Sequence, residues 1–354
     1  MIVTDAWFPQ TNGVVSTLAQ TAAWLGRFGH EVRMVTPQDF RSVPCPTYPE
    51  VRLALFPYKK IARDIPAFAP QALHIATEGP LGLSARRFCV KWGVSFTTSY
   101  HTQFPQYLRA RFPIPLKVSY GALRRFHAAG ARCMVSTASM RTELAAQGFG
   151  NLASWQRGVD TEKFKPGRKD FLDLPRPIAA YVGRVAVEKN IDAFLSMPWT
   201  GSKVVIGDGP ERARLQRQYP NAVFTGYQFG ESLANHLAAA DVMVFPSRTD
   251  TFGLVNLEAM ACGVPVAAYP VTGPIDVIED GVTGALDVDL AAAALRALNV
   301  DPAACRARAL KSGWDRSSRE FENNLVSCRD AALGEFRAAE QSGRGYFSTG
   351  PTRS

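Results

Sequence analysis

At 354 residues the chain is longer than one hydrophobic core usually fills, so two domains are the natural expectation. With 46% hydrophobic and 20% charged residues it is neither disordered throughout nor a fibrous repeat, and no run of about 18 apolar residues offers a spanning helix. The net charge of +9 sits in the first half: residues 1–166 hold 20 Lys and Arg against 9 Asp and Glu, a balance of +11, while residues 167–354 hold 20 against 22, or −2, so a nucleic acid, an anionic membrane or an acidic substrate would be met by the first half.

The chain opens on MIVTD, a strand with only about three residues before its functional end, which is short for a strand. Either the strand is stunted or the true start lies upstream. Asp5 and Pro9 interrupt the apolar stretch that a signal peptide requires, and the expected location is the cytoplasm. A helical stretch over Val15–Phe28 leads to EVRMVTP, and then ALHIAT, VSFTTSYHT and RCMVSTAS follow as strands separated by helix-length segments. RGVDTEKFKPGRKDFLDLPRP, rich in charge, Pro and Gly, reads as a linker near 158–175. The rhythm then repeats with IAAYVGR, KVVIGDG, AVFTGY, VMVFPS and VPVAAYP. Trp314–Arg337 reads as a closing helix and 341–354 as a disordered tail. Strands alternating with helices imply an α/β fold with two parallel sheets, each covered on both faces, with ligands beyond the carboxyl ends of the strands. The six cysteines form no C-x-x-C pair or Cys/His cluster, so neither a zinc site nor a disulfide framework is expected.

SRTDTFGLVNLEAMACGVPV, residues 247–266, is the most informative stretch. After a strand ending at Phe245, Asp250 lies in a loop, Gly253 permits close backbone approach, and a helix from Leu254 carries Glu258. The amides near Phe252, Gly253, Leu254 and Val255 would face an anion, phosphate being the usual occupant. The two carboxylates could bind sugar hydroxyls on either side of it. The plainer alternative makes Asp250 an N-cap and Glu258 a solvated helix residue. This segment resembles the signature of the retaining glycosyltransferases of family 4, which have the GT-B fold; three further stretches match that family, and two more resemble its base-binding wall. YVGRVAVEKN resembles the turn whose cations hold the donor pyrophosphate, here Arg184 and Lys189; FPQTNGVVSTL is similar to its N-terminal glycine loop, with Gly13 opening a helix; SYHTQFPQY matches the loop of the active-site histidine, here His101; GDGPER and TGYQ resemble the base-binding wall, with Gly209 and Tyr227. Glu78 and Arg157 lie at strand ends and are further candidates, whereas His30, His74, His127 and His236 read as structural. Where the family usually has Glu at the first carboxylate, this chain has Asp250, one methylene shorter.

The resemblance, over roughly residues 3–335, implies two Rossmann-like domains facing across a cleft, 1–160 on the acceptor side and 161–314 on the nucleotide-sugar side, with a helix over 315–340 returning to the first. It implies sugar transfer with retention, the departing phosphate oxygen taking the acceptor's proton, and neither metal nor cofactor, since Arg184, Lys189 and helix amides supply the positive field. Arg and Lys interleave with aromatic residues in 57–65, 86–92 and 107–133, which fits a surface lying on anionic lipid, although such stems also cover helix faces where no membrane is present. The expected reaction is transfer of a hexose or hexuronic acid from a UDP-sugar to a membrane lipid such as diacylglycerol, by an enzyme peripheral on the inner face of the cell membrane. A GDP-mannose-dependent mannosyltransferase is the second reading, and a nucleotide-sugar epimerase or hydrolase on the same fold a third. Nucleic-acid binding explains none of the second-half motifs and is not expected.

Overall fold

The computed structural model describes residues 1–10, 12–45, 48–111 and 114–328. The described residues divide into two compact units: those within Met1–Ser136, Arg141–Trp155 and Ser318–Cys328 form the first, and Thr137–Met140 with Gln156–Ser317 the second. No helix among the described residues is long and apolar enough to cross a membrane.

The first unit contains β1 (Ile2–Val3), β2 (Met34–Val35), β3 (Ser42–Cys45), β4 (Tyr48–Ala54), β5 (His74–Ile75), β6 (Thr97–Tyr100), β7 (Arg132–Val135) and β8 (Leu152–Ser154). Six of these make one parallel sheet in the order β2-β1-β5-β6-β7-β8, and β3 pairs antiparallel with β4 as a separate hairpin. The second unit holds β9 (Ile178–Val182), β10 (Ser202–Ile206), β11 (Val223–Gly226), β12 (Val242–Phe245), β13 (Val266–Ala268) and β14 (Gly284–Leu286), all parallel, in the order β11-β10-β9-β12-β13-β14. Each sheet is doubly wound. Strand order reverses between β1 and β5 in one and between β9 and β12 in the other, and at those points the loops leave the sheet in opposite directions and open a crevice.

Sequence explains the burial. IAAYV in β9 and VMVF in β12 are buried at every position, as strands covered on both faces must be. Alternate side chains of β9 feed two cores: Ile178, Ala180 and Val182 pack with Met243 and Leu257, while Ala179 and Tyr181 pack with Phe194 and Val244. In the first unit Trp155 is fully buried against Phe321 from the last helix, at 4.7 Å between ring centroids.

The structure departs from the sequence reading at three places. The stretch expected to be a linker near 158–175 belongs to the folded second unit: Phe164 is buried in its core, and the Arg306 guanidinium donates to the carbonyls of Thr161 (3.0 Å), Phe164 (2.7 Å) and Ala261 (2.8 Å). Its charge and proline content concealed one apolar anchor and one distant clamp. The closing helix runs over Trp314–Asn324 and not to Arg337; residues beyond 328, the expected tail included, lie outside the described part. The hairpin β3–β4 and the three-residue strands β8 and β14 were not foreseen.

Candidate active site

The second unit's switch point gathers the residues of the strongest motif. The turn after β9 and the loop after β12 leave neighbouring strands, and Lys189 from the first reaches Asp250 from the second with Nζ to Oδ1 at 2.6 Å. Asn190, in the left-handed region at φ +54°, ties the same turns together by donating to the Pro246 carbonyl at 3.1 Å. Asp250 therefore does not cap the helix. The helix Leu254–Ala261 begins instead at Gly253, with φ +78° and no side-chain cap, so its first amides face outward with the positive end of the dipole behind them. A Cβ on Gly253 would fall 2.6 Å from the Asn256 amide nitrogen and 2.8 Å from the Phe245 ring, so glycine is required on two counts.

Polar satisfaction fails at this point. Ser247 Oγ, Thr249 Oγ1, Asp250 Oδ2 and Asn256 Oδ1 are all buried with no hydrogen-bond partner among the described residues. Buried polar atoms are nearly always paired in native proteins, so four orphans within ten residues mark a place shaped for polar ligand atoms. Phe252 is buried and Leu254 and Val255 pack against the core, holding the turn rigid. Glu258, one helical turn further in, is half-buried, and desolvation pushes its carboxyl up to about 7, with the Lys163 ammonium pulling the other way.

Glycine turns form the floor beside this loop. A Cβ on Gly207 would meet the Gly183 carbonyl oxygen at 1.9 Å, and one on Gly209 the Val185 carbonyl oxygen at 2.4 Å, so the turn carrying Arg184 and the turn after β10 lie backbone against backbone. The Val185 amide donates to the Asp208 carbonyl (2.8 Å) and the Glu211 amide to the Val185 carbonyl (3.1 Å). Tyr227, just past β11, is 42% exposed and stacks on Phe229, itself 59% exposed, with ring centroids 5.8 Å apart. Gly273 brings the loop after β13 up to the same site, since its Cβ would lie 2.6 Å from the Asp250 carbonyl oxygen. Sequence reading missed Ser247, Thr249, Asn256, Phe229 and Gly273. The recurring glycines just past strand ends were the available signal.

In the first unit, Gly13 starts the helix Gly13–Arg27, and the preceding Asn12 side chain accepts from the Val14 and Val15 amides, each at 3.0 Å. His101, half-buried just past β6, has Nε2 2.8 Å from Ser99 Oγ and its ring edge-on to Trp155. Glu78 pairs with the fully buried His127, Oε1 to Nε2 at 3.1 Å, while the opposite ring nitrogen lies 2.9 Å from Thr98 Oγ1. Arg157 is buried at the start of the second unit. The structure thus brings Lys189, Asp250, Gly253 and the surrounding loop into one place, and in the other unit it locates His101 and Glu78 just past strands and Gly13 at a helix start.

An arrangement of cations, outward amides and unsatisfied acceptors suits an anionic, hydroxyl-rich ligand. Comparison with known proteins agrees. The profile of glycosyl transferases group 1 matches residues 176–300 and that of Glycosyltransferase Family 4 residues 11–163. A GDP-mannose-dependent alpha-mannosyltransferase of Mycobacterium tuberculosis is 30% identical over 311 residues, 80% of this chain and 82% of that one. Sulfoquinovosyl transferase SQD2 of Arabidopsis thaliana is 30% identical over 371 residues, 92% of this chain and 73% of that one. Alpha-monoglucosyldiacylglycerol synthase of Streptococcus pneumoniae is 27% identical over 353 residues, 85% and 78%. In fold, Anabaena HepE, solved in complex with UDP and glucose, superposes with a TM-score of 0.68 at 14% identity, covering 91% of this chain and 97% of that one. With profiles matching in both halves and relatives aligned over most of their length, the chain belongs to glycosyltransferase family 4 and has the GT-B fold.

Proposed function

We propose that this glycosyltransferase moves a hexose or hexuronic acid from a UDP-sugar to a membrane lipid such as diacylglycerol, with retention of configuration and without a metal ion. The observation that carries the donor half is the orphaned polar cluster around Asp250 beside Lys189 and an uncapped helix start. Lys189, Arg184 and the amides at Gly253–Val255 neutralise the diphosphate, and their hold strengthens as charge builds on the leaving oxygen, which makes the stabilisation larger in the transition state than in the ground state. Asp250 and Glu258 receive sugar hydroxyls, and Tyr227 with Phe229 offers aromatic faces to the base. The reading invokes no metal because Arg184, Lys189 and the helix amides supply the positive field. The departing phosphate oxygen takes the acceptor's proton, and His101 serves the sugar in the role that the family resemblance implies.

The acceptor half rests on the first unit's surface. Phe56 is 94% exposed and held at φ +49°, a backbone region that a bulky residue rarely adopts. It immediately precedes the helix Tyr58–Phe68, which carries the exposed Lys59. On the next helix, Pro80–Trp92, Leu83 (55% exposed), Arg87 and Val90 (54%) share one face at helical spacing, and the Arg87 guanidinium lies 4.7 Å over the Tyr58 ring. Exposed apolar groups mixed with cations, on the half of the chain that carries +11, suit an anionic lipid surface at the inner face of the cell membrane. The test is incubation of the purified chain with UDP-glucose, UDP-galactose, UDP-glucuronate and GDP-mannose in liposomes containing diacylglycerol, with mass spectrometry of the lipids. A glycosyldiacylglycerol from a UDP-sugar is expected; donor turnover without a lipid product would move the acceptor into solution.

A second reading, a GDP-mannose-dependent α-mannosyltransferase on a lipid-linked or polysaccharide acceptor, is favoured by the relative of that name at 30% identity. The same assay decides between them, because only that reading predicts turnover confined to GDP-mannose.

A further inference from the structure

The donor loop carries a cation that the reading above does not use. β12 and β13 pair in parallel with Phe245 opposite Ala268, so the two chains leave the sheet side by side, one toward Arg248 and the other into Tyr269. The Arg248 guanidinium carbon lies 3.6 Å from the centre of the Tyr269 ring, a separation at which two flat groups stack. Tyr269 is buried in the core that also holds Val244 and Ala267, so the platform is fixed. The loop after β13 thus meets the donor loop twice, with Tyr269 against Arg248 and Gly273 against the Asp250 carbonyl.

An exposed arginine ordinarily samples many rotamers, and stacking on an immobile ring removes much of that freedom before a ligand arrives. The N–H groups lie in the guanidinium plane, so contact with the ring face leaves them available. Among the described residues Arg248 has no hydrogen-bond or ion-pair partner. Its sequence neighbours are the orphaned Ser247 Oγ and Thr249 Oγ1, with the orphaned Asp250 Oδ2 one residue further. The other Asp250 oxygen is taken by Lys189, so the loop's own carboxylate does not offset the charge of Arg248. On the reading above, the diphosphate already has Lys189, Arg184 and the helix amides. A guanidinium gains little from neutral hydroxyls, whereas a carboxylate or a similar oxyanion accepts two parallel charge-assisted bonds from it.

We infer that Arg248, held on Tyr269, is a specificity residue that receives an oxyanion on the transferred sugar, so that the donor is an acidic sugar and not a neutral hexose. This rests on the proposed placement of the donor at the Asp250 loop, and it narrows the choice between hexose and hexuronic acid to the acid. Tyr269 is a positioning residue that acts through Arg248.

The test titrates the full chain calorimetrically, without an acceptor, with UDP-glucose against UDP-glucuronate and GDP-mannose against GDP-mannuronate. In the pair with the base that the protein binds, the acidic donor is expected to bind about 10–100-fold more tightly, the range of a charge-assisted bidentate contact. Arg248→Gln should bring the pair to within about threefold by weakening the acidic member, and Arg248→Lys, which keeps the charge without the planar fork, should restore only part of the difference. Tyr269→Leu should reduce the preference with Arg248 still present. Equal binding within both pairs by the wild type, or a preference that Arg248→Gln leaves intact, overturns the inference while the donor reading stands. So does an Arg248→Gln that weakens both members alike, which would put Arg248 on the diphosphate. A preference seen in the GDP pair alone would overturn the UDP reading and support the inference, and failure of all four donors to bind would overturn both.

Discussion

The two switch points are built alike and finished differently. In the first unit the crevice between β1 and β5 is closed from within: the buried Asp5 carboxylate accepts from the Leu81 amide (2.8 Å), the Gly82 amide (3.3 Å) and the Thr77 hydroxyl (2.8 Å), so the start of the helix Pro80–Trp92 already holds an anion supplied by the chain itself. Glycine at 79 and 82 leaves room for it, since a Cβ would lie 2.5 Å from the Asp5 carboxyl carbon or 1.8 Å from the Thr77 carbonyl oxygen. In the second unit the equivalent helix starts at an uncapped glycine, and the nearest carboxylate, Asp250, turns away to Lys189 and keeps one oxygen orphaned. One Rossmann-like unit satisfies its helix start; the other leaves it for a ligand. Fold alone does not say which unit binds the diphosphate, and the uncapped helix start is what supports the proposed placement in the second.

Four substitutions would break or sharpen that contrast. Lys189→Ala should cut kcat about 10²–10³-fold, the scale of losing one preorganised charge contact to a leaving group, with the thermal midpoint nearly unmoved; activity near wild type would remove Lys189 from the phosphate site. Asp5→Ala should behave in the opposite way, losing about 1–3 kcal/mol in denaturant unfolding because buried amides lose their acceptor, while turnover per folded molecule is kept. If it abolished turnover without loss of stability, the first crevice would also be a ligand site. Glu258→Gln should show the cost of a desolvated carboxyl. With a folded-state pKa of about 7 against 4.5 unfolded, the native protein holds its proton longer, so stability falls as pH rises through that window, by about 1–3 kcal/mol at pH 8. The Gln variant should lack the slope, being more stable than wild type above pH 7 and weaker in donor binding; parallel pH–stability curves would contradict this. Asp250→Glu restores the family's usual length and should shift relative donor preference only several-fold, read as ratios of kcat/KM across the donors.

Sequence reading succeeded where a structural unit is contiguous. The runs IAAYV and VMVF are apolar over a full strand and KVVI over its last three residues, and the 250–258 segment keeps its whole turn and helix start in nine neighbouring residues, so both could be read from the chain directly. It failed where meaning depends on distant partners. β3 contains Pro44 and β14 is Gly-Ala-Leu, compositions that do not suggest strands, and only pairing with β4 and β13 makes them so. Asp5 reads as a break in a signal peptide until Leu81, 76 positions away, supplies the amide it holds. Glu78 is a site candidate by its strand-end position, and its contact with His127, 49 residues on, is not readable from the chain. The contact of Arg248 with Tyr269 needs the register of β12 against β13, which no linear pattern contains.

The Arg306 clamp bears on how the chain should meet a protease. Segment 158–168, with its lysines, Arg168 and Asp160, has the composition of an accessible cleavage site, yet Phe164 is anchored in the core and carbonyls at 161 and 164 are held by one guanidinium whose third bond goes to the end of the donor-loop helix at Ala261. A protease needs pliable backbone to seat its target, and this stretch is held by the Phe164 anchor and the Arg306 bonds. Nicking there would therefore report opening of the second unit, and the rate of cleavage after Lys163 would gauge whether a nucleotide sugar, on the proposed function, protects that unit.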